Sequence, residues 1–518
     1  MFWHYARSVM RYGFVIDNRR CIGCHSCTVA CKTENHVPLG VNRTWVKYVE
    51  KGKFPLARRV FQVTRCNHCE KPPCVEICPV GAMYRRKDGI VDLDGARCIG
   101  CKACMQACPY DAIYLDPERN TAAKCHYCAH RTELGLEPAC VAACPEQAIL
   151  AGDLDDPQSE VAHLVAREPV RVRKPEQATR PKLYYVDADE SSIVPTAARH
   201  ECFYMWSERN HMVAGGGAVY LPDSPYLQPD ALAAYDVSHR RPWDSLVPLY
   251  CWLKSIGAGV LAVPAIAVAL KWLPRDRLRD IALSSLALIF IAATLVALIG
   301  DLARKDRFAY ILRFPQLRSW LSLGTFILIA YTLFCGSFWW SELANYPGVS
   351  GLLVWPTVGL GCLAAVYTAF LFGQCEGRDL WQTPLLPVHS LVQSVMSSAA
   401  VLALLPVAWG GGTPQSNAVA AGVLSVCLVL HLLLVVGELA MPHASDNANY
   451  AVRLIARGPL RYWFWASAVG LGILLPLVLL IAVPSSFNAV AIAGVLALAG
   501  LFTFEWCFVM AGQSVPNS

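Results

Sequence analysis

Beyond Trp243 the chain is dominated by apolar residues, gathered into eight stretches at about 246–270, 281–301, 319–341, 350–373, 385–409, 416–438, 460–483 and 486–511. Each comes near the roughly 20 apolar residues that a bilayer-spanning helix needs. Short polar loops separate them, so the pattern predicts eight transmembrane helices. A single run of this kind could be a buried helix of a soluble core; eight in succession exclude that reading. An even number of spans returns the chain to its starting face, so the N-terminal half and Ser518 are expected on one side. Before Trp243 no run reaches membrane length. From about Asp187 to Asp244 there is neither a span nor a regular motif, but Gly215, Gly216 and Gly217 and the prolines Pro222, Pro225 and Pro229. That is linker composition, and Tyr204, Trp206, Tyr220 and Tyr226 fit a segment lying on the membrane surface or on a partner. The expected division is 1–190, a folded polar domain; 191–245, a linker or surface segment; and 246–512, a helical membrane domain.

Composition agrees. Of 518 residues 16% are charged, and the mean hydropathy is +0.36, too apolar for an ordinary soluble protein. The net charge of +6 is modest and dispersed, which points to membrane topology and docking and away from nucleic-acid binding. The start, Met1-Phe2-Trp3-His4-Tyr5, lacks the charged region, apolar stretch and cleavage site of a secretory signal, and Arg19-Arg20 precedes no apolar stretch.

The cysteines change the picture most. The chain has 23, of which 17 precede residue 245, and 16 of those fall into four groups: Cys21, Cys24, Cys27 and Cys31; Cys66, Cys69, Cys74 and Cys78; Cys98, Cys101, Cys104 and Cys108; Cys125, Cys128, Cys140 and Cys144. A disulfide scaffold would be a small secreted domain with irregular spacing. A run C-x2-C-x2-C-x3-C-P instead wraps three thiolates round one [4Fe–4S] cubane and sends the fourth to a neighbouring one, so such groups work in pairs. Four groups make four clusters. Zinc ribbons would use paired CxxC knuckles without the third cysteine and the trailing proline. Three groups end in Cys-Pro (Pro79, Pro109 and Pro145), whereas Lys32 follows Cys31. His25, His68, His126 and His130 lie among the ligands and are expected to be surface or supporting residues, because the cysteines already saturate the clusters. The seventeenth cysteine, Cys202, looks structural.

With these motifs the N-terminal half, over residues 12 to 190 and including KPEQATRPKLYYV, resembles the four-cluster iron–sulfur subunits that accompany molybdopterin oxidoreductases such as polysulfide, thiosulfate, tetrathionate and dimethyl sulfoxide reductases. The resemblance implies an α+β ferredoxin-like domain of two pseudo-repeated dicluster units. Carried over residue by residue, it implies the sets Cys21, Cys24, Cys27 with Cys144; Cys125, Cys128, Cys140 with Cys31; Cys66, Cys69, Cys74 with Cys108; and Cys98, Cys101, Cys104 with Cys78. The C-terminal half resembles the anchor family typified by the membrane subunit of polysulfide reductase and by NrfD. That resemblance rests on DLARKDRFAYILRFPQLRSWLSLGTFIL (Asp301 to Leu328) and YTAFLFGQCEGRDLWQTPLLPVH (Tyr367 to His389). It implies an all-α domain of eight helices that takes no haem and binds quinone, either menaquinone or ubiquinone, near the cluster-bearing face. The chain thus looks like a fusion of two normally separate subunits.

Ionisable residues inside spans mark function by default. Lys254 enters the first span, His389 the fifth, His431 and Glu438 the sixth, and Glu505 the eighth. Alternating topology puts Lys254, Tyr367, His389 and Glu438 toward the cluster side. A quinone there needs a donor at each carbonyl and a proton path, so His389, Tyr367 and Lys254 are the expected quinone-binding residues, with Gln393 and Asp301 as supports. A bis-histidine haem on His389 and His431 would need both rings at one depth, and their positions along the helices place them several residues apart.

Loops on the cluster side hold Arg304, Lys305, Arg307, Arg313, Arg318, Arg378, Arg453, Arg457 and Arg461, against Lys271, Arg275, Arg277 and Arg279 opposite. Positive charge marks the cytoplasm, so a cytoplasm-facing cluster domain in a prokaryotic inner membrane is expected. No segment offers a dinucleotide fold or a recognisable pterin site, so substrate chemistry belongs to another polypeptide. The expected role is that of an electron-transfer and anchor subunit of an oxidoreductase complex, linking a molybdopterin (molybdenum or tungsten) catalytic subunit to quinone. A nickel–iron hydrogenase or multihaem cytochrome partner is the alternative, as is a redox-driven proton pump with Glu438, Glu505 and His431 as its relay.

Overall fold

The computed structural model describes residues 10–200, 228, 230–237, 241–409 and 412–518. Met1 to Tyr5, Cys202, Tyr204, Trp206, Gly215 to Gly217, Tyr220 and Tyr226 lie outside them.

The polar half is built round strand β1 (Tyr12–Asp17). Successive side chains of a strand face opposite ways. Phe14 and Ile16 accordingly pack into the core that holds the cysteines, while Val15 packs behind the sheet with Leu150, Val161 and Val186. β1 pairs antiparallel with Ile149–Asp153 and parallel with Leu183–Val186, part of the KPEQATRPKLYYV stretch. In a second sheet, β2 (Trp45–Lys51) and β3 (Arg58–Thr64) pair from Trp45↔Thr64 to Lys51↔Arg58. The other edge of β2 is taken by β4 (Ala231–Tyr235), so part of the 191–245 segment is woven into the cluster domain. Two short hairpins, Met83–Arg85 with Val91–Leu93 and Ile113–Leu115 with Ala122–Lys124, follow the second and third cysteine groups.

Among the described residues, eight helices are long and apolar enough to cross a membrane: α1 Leu246–Ala269, α2 Arg277–Asp301, α3 Trp320–Leu343, α4 Pro347–Gly373, α5 Leu386–Ala408, α6 Pro414–Ala440, α7 Trp463–Ala482 and α8 Phe487–Ser514. Their outward faces carry exposed Val296, Leu333, Leu352, Leu433, Ile481 and Ile492, the pattern of helices solvated by lipid. The protein is a multi-pass membrane protein.

Two packing devices set the site. In α1, Pro264 has no N–H for the carbonyl of Val260 four residues before it. Ser398 of α5 repairs the break: its hydroxyl donates to Val260 O at 3.1 Å and accepts from Val263 N at 3.2 Å. Gly259 meanwhile lets α1 lie directly on α5, since a Cβ there would sit 2.1 Å from Ser394 O. In α3, Gly324 lies under the ring of Tyr367, where a Cβ would come within 2.2 Å of the ring carbons. Gly324→Ala is therefore expected to push Tyr367 off its position, with the cost of about 1–3 kcal/mol usual for overpacking. Thermal unfolding of the detergent-solubilised variant measures it, and a stability equal to that of the parent would show that the ring moves freely.

Candidate functional site

The cysteine groups cross over one another. Cys21 faces Cys24 and Cys144, and these line one pocket with Cys27. Cys31 faces Cys128 and Cys140, and Cys125 faces Cys31 and Cys140. Cys74 faces Cys66, Cys69 and Cys108. Cys78, Cys98, Cys101 and Cys104 line a second pocket. The sets follow one another in a row, since Cys27 faces Cys140, Cys125 faces Cys66, and Cys104 faces Cys74. Cys24 is exposed at one end. At the other, Trp243 Nε1 donates to Cys101 O at 3.1 Å.

The chemistry round the sulfurs fits thiolates bound to iron. Backbone N–H groups point at Cys66, Cys78, Cys98, Cys125 and Cys144 Sγ at 3.3–3.5 Å. Asn35 Nδ2 lies 3.7 Å from both Cys31 and Cys128 Sγ. Arg65, wholly buried, donates from Nη1 to Cys140 Sγ at 2.9 Å, while its Nε and Nη2 find no partner among the described residues. A buried guanidinium with unmatched donors facing Cys27, Cys125 and Cys140 calls for negative sulfur as acceptor. Of the histidines, His25 packs on Tyr48 and Tyr235; His130 bonds Glu34 at 2.8 Å. His68 Nδ1 accepts from Val91 N at 3.2 Å, and its burial holds it well below the ordinary histidine range. Burial, with the Arg43 charge, pushes His126 down to about 4.

The last cysteine set is seated on the membrane domain. Ile99 O and Gly100 O accept from Arg304 N and Ala303 N, both at 3.2 Å. Gly100, at φ +68°, has no room for a Cβ, which would meet Ala303 at 2.7 Å and Asn120 O at 2.8 Å. Lys102 pairs with Asp301 at 2.9 Å, both mostly buried, so Asp301 ties the two halves together at the end of α2. Trp243 stacks on Trp381 (5.5 Å, 18°), which stacks on Phe372 (4.9 Å, 26°). Cys375, in the same loop, faces Cys101.

Below this junction the helices hold a buried polar group. Lys254 Nζ donates to Ala365 O at 2.9 Å and Thr368 Oγ1 at 2.7 Å and lies 4.9 Å from the centre of the Tyr367 ring. An ammonium has three donors, so one remains. Glu505 faces Lys254 and hydrogen-bonds Gln393. His389 stands one turn before Gln393 on α5, and its Nε2 is 2.6 Å from His431 Nδ1; Phe504 covers both rings at 5.1 Å. Lys254, Tyr367, Gln393 and His389 are thus brought together, and Asp301 stands apart at the junction. The expected depth difference between His389 and His431 is corrected: α6 projects further past α5 on the cluster side than the sequence spacing implies, and the rings touch. Glu505 and Glu438 also lie on the cluster side, Glu438 accepting from Thr383 Oγ1 at 3.1 Å. At the other face Arg275 pairs with Glu342 and Arg279 with Asp280 at helix ends.

Sequence reasoning passed over Arg65, Thr368, Trp381 and Cys375 as functional residues. The last three lie within the Tyr367 to His389 block, where the density of polar and aromatic residues at a span's end was the available signal. Arg65 directly precedes Cys66, but nothing local shows that it is buried against a different group.

Comparison with known proteins agrees with this geometry. The family described as polysulphide reductase, NrfD, matches residues 235–517, more than half of the chain. Two 4Fe–4S dicluster domain families match residues 20–83 and 57–154. The N-terminal half is 45% identical over 202 residues to a subunit of the tetrathionate reductase of Salmonella typhimurium, covering 38% of this chain and 80% of that one. It is 40% identical over 186 residues to a component of the polysulfide reductase of Wolinella succinogenes (35% and 97%), and 44% identical over 181 to protein NrfC of Escherichia coli (34% and 81%). This protein belongs to the polysulphide reductase NrfD family and carries, joined ahead of its membrane domain, an iron–sulfur domain related to the electron-transfer subunits of reductase complexes.

Proposed function

We propose that this chain connects a catalytic partner to membrane quinone, with the sixteen cysteines in the four crossed sets as ligands of four [4Fe–4S] clusters. When bound, the clusters supply one-electron steps along the row from Cys24 to Cys101. The observation that carries the reading is the buried group of Lys254, Tyr367, Gln393, Glu505 and His389, set in the membrane directly below the last cysteine set. Lys254 and His389 each offer a nitrogen to a quinone carbonyl, and Phe504 supplies an apolar wall for its ring. Asp301, paired with Lys102, ties the cluster domain to the membrane domain above this group. The resemblance to subunits of molybdopterin enzymes supports a molybdenum or tungsten protein as the partner, docked where Cys24 is exposed, and the excess of arginine in the cluster-side loops supports a cytoplasmic face.

Purification of the intact complex and metal analysis test the partner: about sixteen irons per chain with molybdenum or tungsten are expected, and nickel overturns the molybdopterin reading. For the quinone site, Lys254→Met is expected to slow quinone turnover about tenfold, the loss of one hydrogen bond from a charged donor, with cluster spectra unchanged. Full turnover in that variant removes Lys254 from the site.

A further inference from the structure

We propose that protons exchanged at the quinone site travel between it and the cluster-side surface along His389, His431 and Glu438. The proposal rests on the quinone reading above and adds the route to it.

The electrons come from the cysteine row, but each quinone reduced to quinol also takes two protons, and Lys254 and Glu505 are sealed from solvent. The histidine pair supplies a way out. His389 Nε2 and His431 Nδ1 share one hydrogen bond of 2.6 Å, and the other nitrogen of each ring has no partner among the described residues. Each ring therefore has one nitrogen engaged and one left to accept or give a proton, which is what a two-step transfer through imidazoles requires. Seven residues along α6 from His431, on the same stripe past Val435, stands Glu438, nearer the cluster side by about 10 Å at 1.5 Å per residue. Its carboxylate is half-buried, accepts from Thr383 Oγ1 at 3.1 Å and faces His443. His443 Nε2 is itself buried without a partner among the described residues, so two proton-carrying groups meet at this mouth.

In the direction of quinone reduction, the N–H at His389 Nδ1 breaks as an O–H forms on the quinone. His389 Nε2 takes the proton of His431 Nδ1, and His431 Nε2 is refilled from Glu438 through water. Glu438 recovers its proton from the cluster-side solution. The passage leaves both rings with the proton on Nε2 and Nδ1 bare. The second proton therefore follows after the rings reset, each bringing an N–H back to its starting side by reorientation or exchange with water. The two electrons come singly from the clusters. Quinol oxidation runs each transfer backwards.

The test uses the complex with its clusters chemically reduced, mixed rapidly with a short-chain quinone, following cluster oxidation together with proton uptake by an indicator dye. His431→Phe keeps an aromatic ring against Phe504 but carries no proton. Both transients are expected to slow roughly tenfold or more, at the low side of what a positioned proton donor contributes, with a larger solvent isotope effect and unchanged quinone affinity. Glu438→Gln, at the half-exposed mouth where folding is not at stake, is expected to slow proton uptake similarly, and Glu438→Asp to restore it. Unaltered rates in both His431→Phe and Glu438→Gln, or slowing without a changed isotope effect, overturn the route alone. A parent complex that passes no electrons to quinone overturns the quinone reading and the route with it.

Discussion

Replacing Arg65 by methionine is expected to lower the midpoint potential of the cluster assigned to Cys31, Cys125, Cys128 and Cys140 by about 60–130 mV, the one-electron equivalent of a charged hydrogen bond worth about 1.5–3 kcal/mol. Reduction adds a negative charge to a site with little water, and the guanidinium donates to Cys140 Sγ at 2.9 Å while facing Cys27 and Cys125. Without it the reduced form loses its nearest positive charge. Methionine keeps most of the volume beside Phe14, whose ring lies 4.7 Å from the guanidinium carbon, so packing changes little. A redox titration followed by electron paramagnetic resonance reads the shift on the intact complex. An unmoved midpoint, with all cluster signals present, would show that Arg65 neutralises something other than that cluster.

What the sequence made legible follows from how locally each feature is encoded. The cysteine groups and the eight apolar runs are written as spacing and length, and the structure contains eight membrane-length helices at those places, with ends shifted by a few residues. Ionisable residues in the spans were equally visible, because each is costly in lipid unless it has work to do. Which of them meet was not. His389 is the fourth residue of α5 and His431 the eighteenth of α6, and their contact depends on how far α6 extends past its neighbour. Asp301 read as a support for quinone, yet its partner is Lys102, 199 positions away in the other half. The strand Ala231–Tyr235 has no alternation strong enough to stand out from a linker; it is a strand because β2 offers it an edge. In each case the missing information was tertiary.

The junction between the halves supplies the other large effect. Arg378 lies in the loop after α4 and is 5% exposed. Its Nε donates to Gln106 Oε1 at 2.7 Å, Nη1 to Val515 O at 2.9 Å and Nη2 to Asp111 Oδ1 at 3.4 Å. Asp111 in turn accepts from Asn517 N at 2.7 Å, and Asn517 Nδ2 donates to Gly377 O at 2.7 Å. One guanidinium thus joins the helix before Cys108, the segment beyond α8 and the loop that carries Trp381. Arg378→Ala takes away the guanidinium that pairs with Asp111 and leaves Gln106 Oε1 and Val515 O without their donor, at about 1.5–3 kcal/mol for a hydrogen bond to a charged group. The cluster domain is expected to loosen from the membrane domain, seen as faster proteolysis between the halves and slower electron passage to quinone, while each half keeps its own spectra. Arg378→Lys retains the charge but not the three-way fork, and should recover only part of the loss. The double replacement Arg378→Leu with Asp111→Leu removes both charges together, though Asn517 N loses its acceptor, and is expected to recover part of the stability. If it proves as unstable as Arg378→Ala, the fork's neutral hydrogen bonds to Gln106 and Val515, and not its pairing with Asp111, hold the two halves in register.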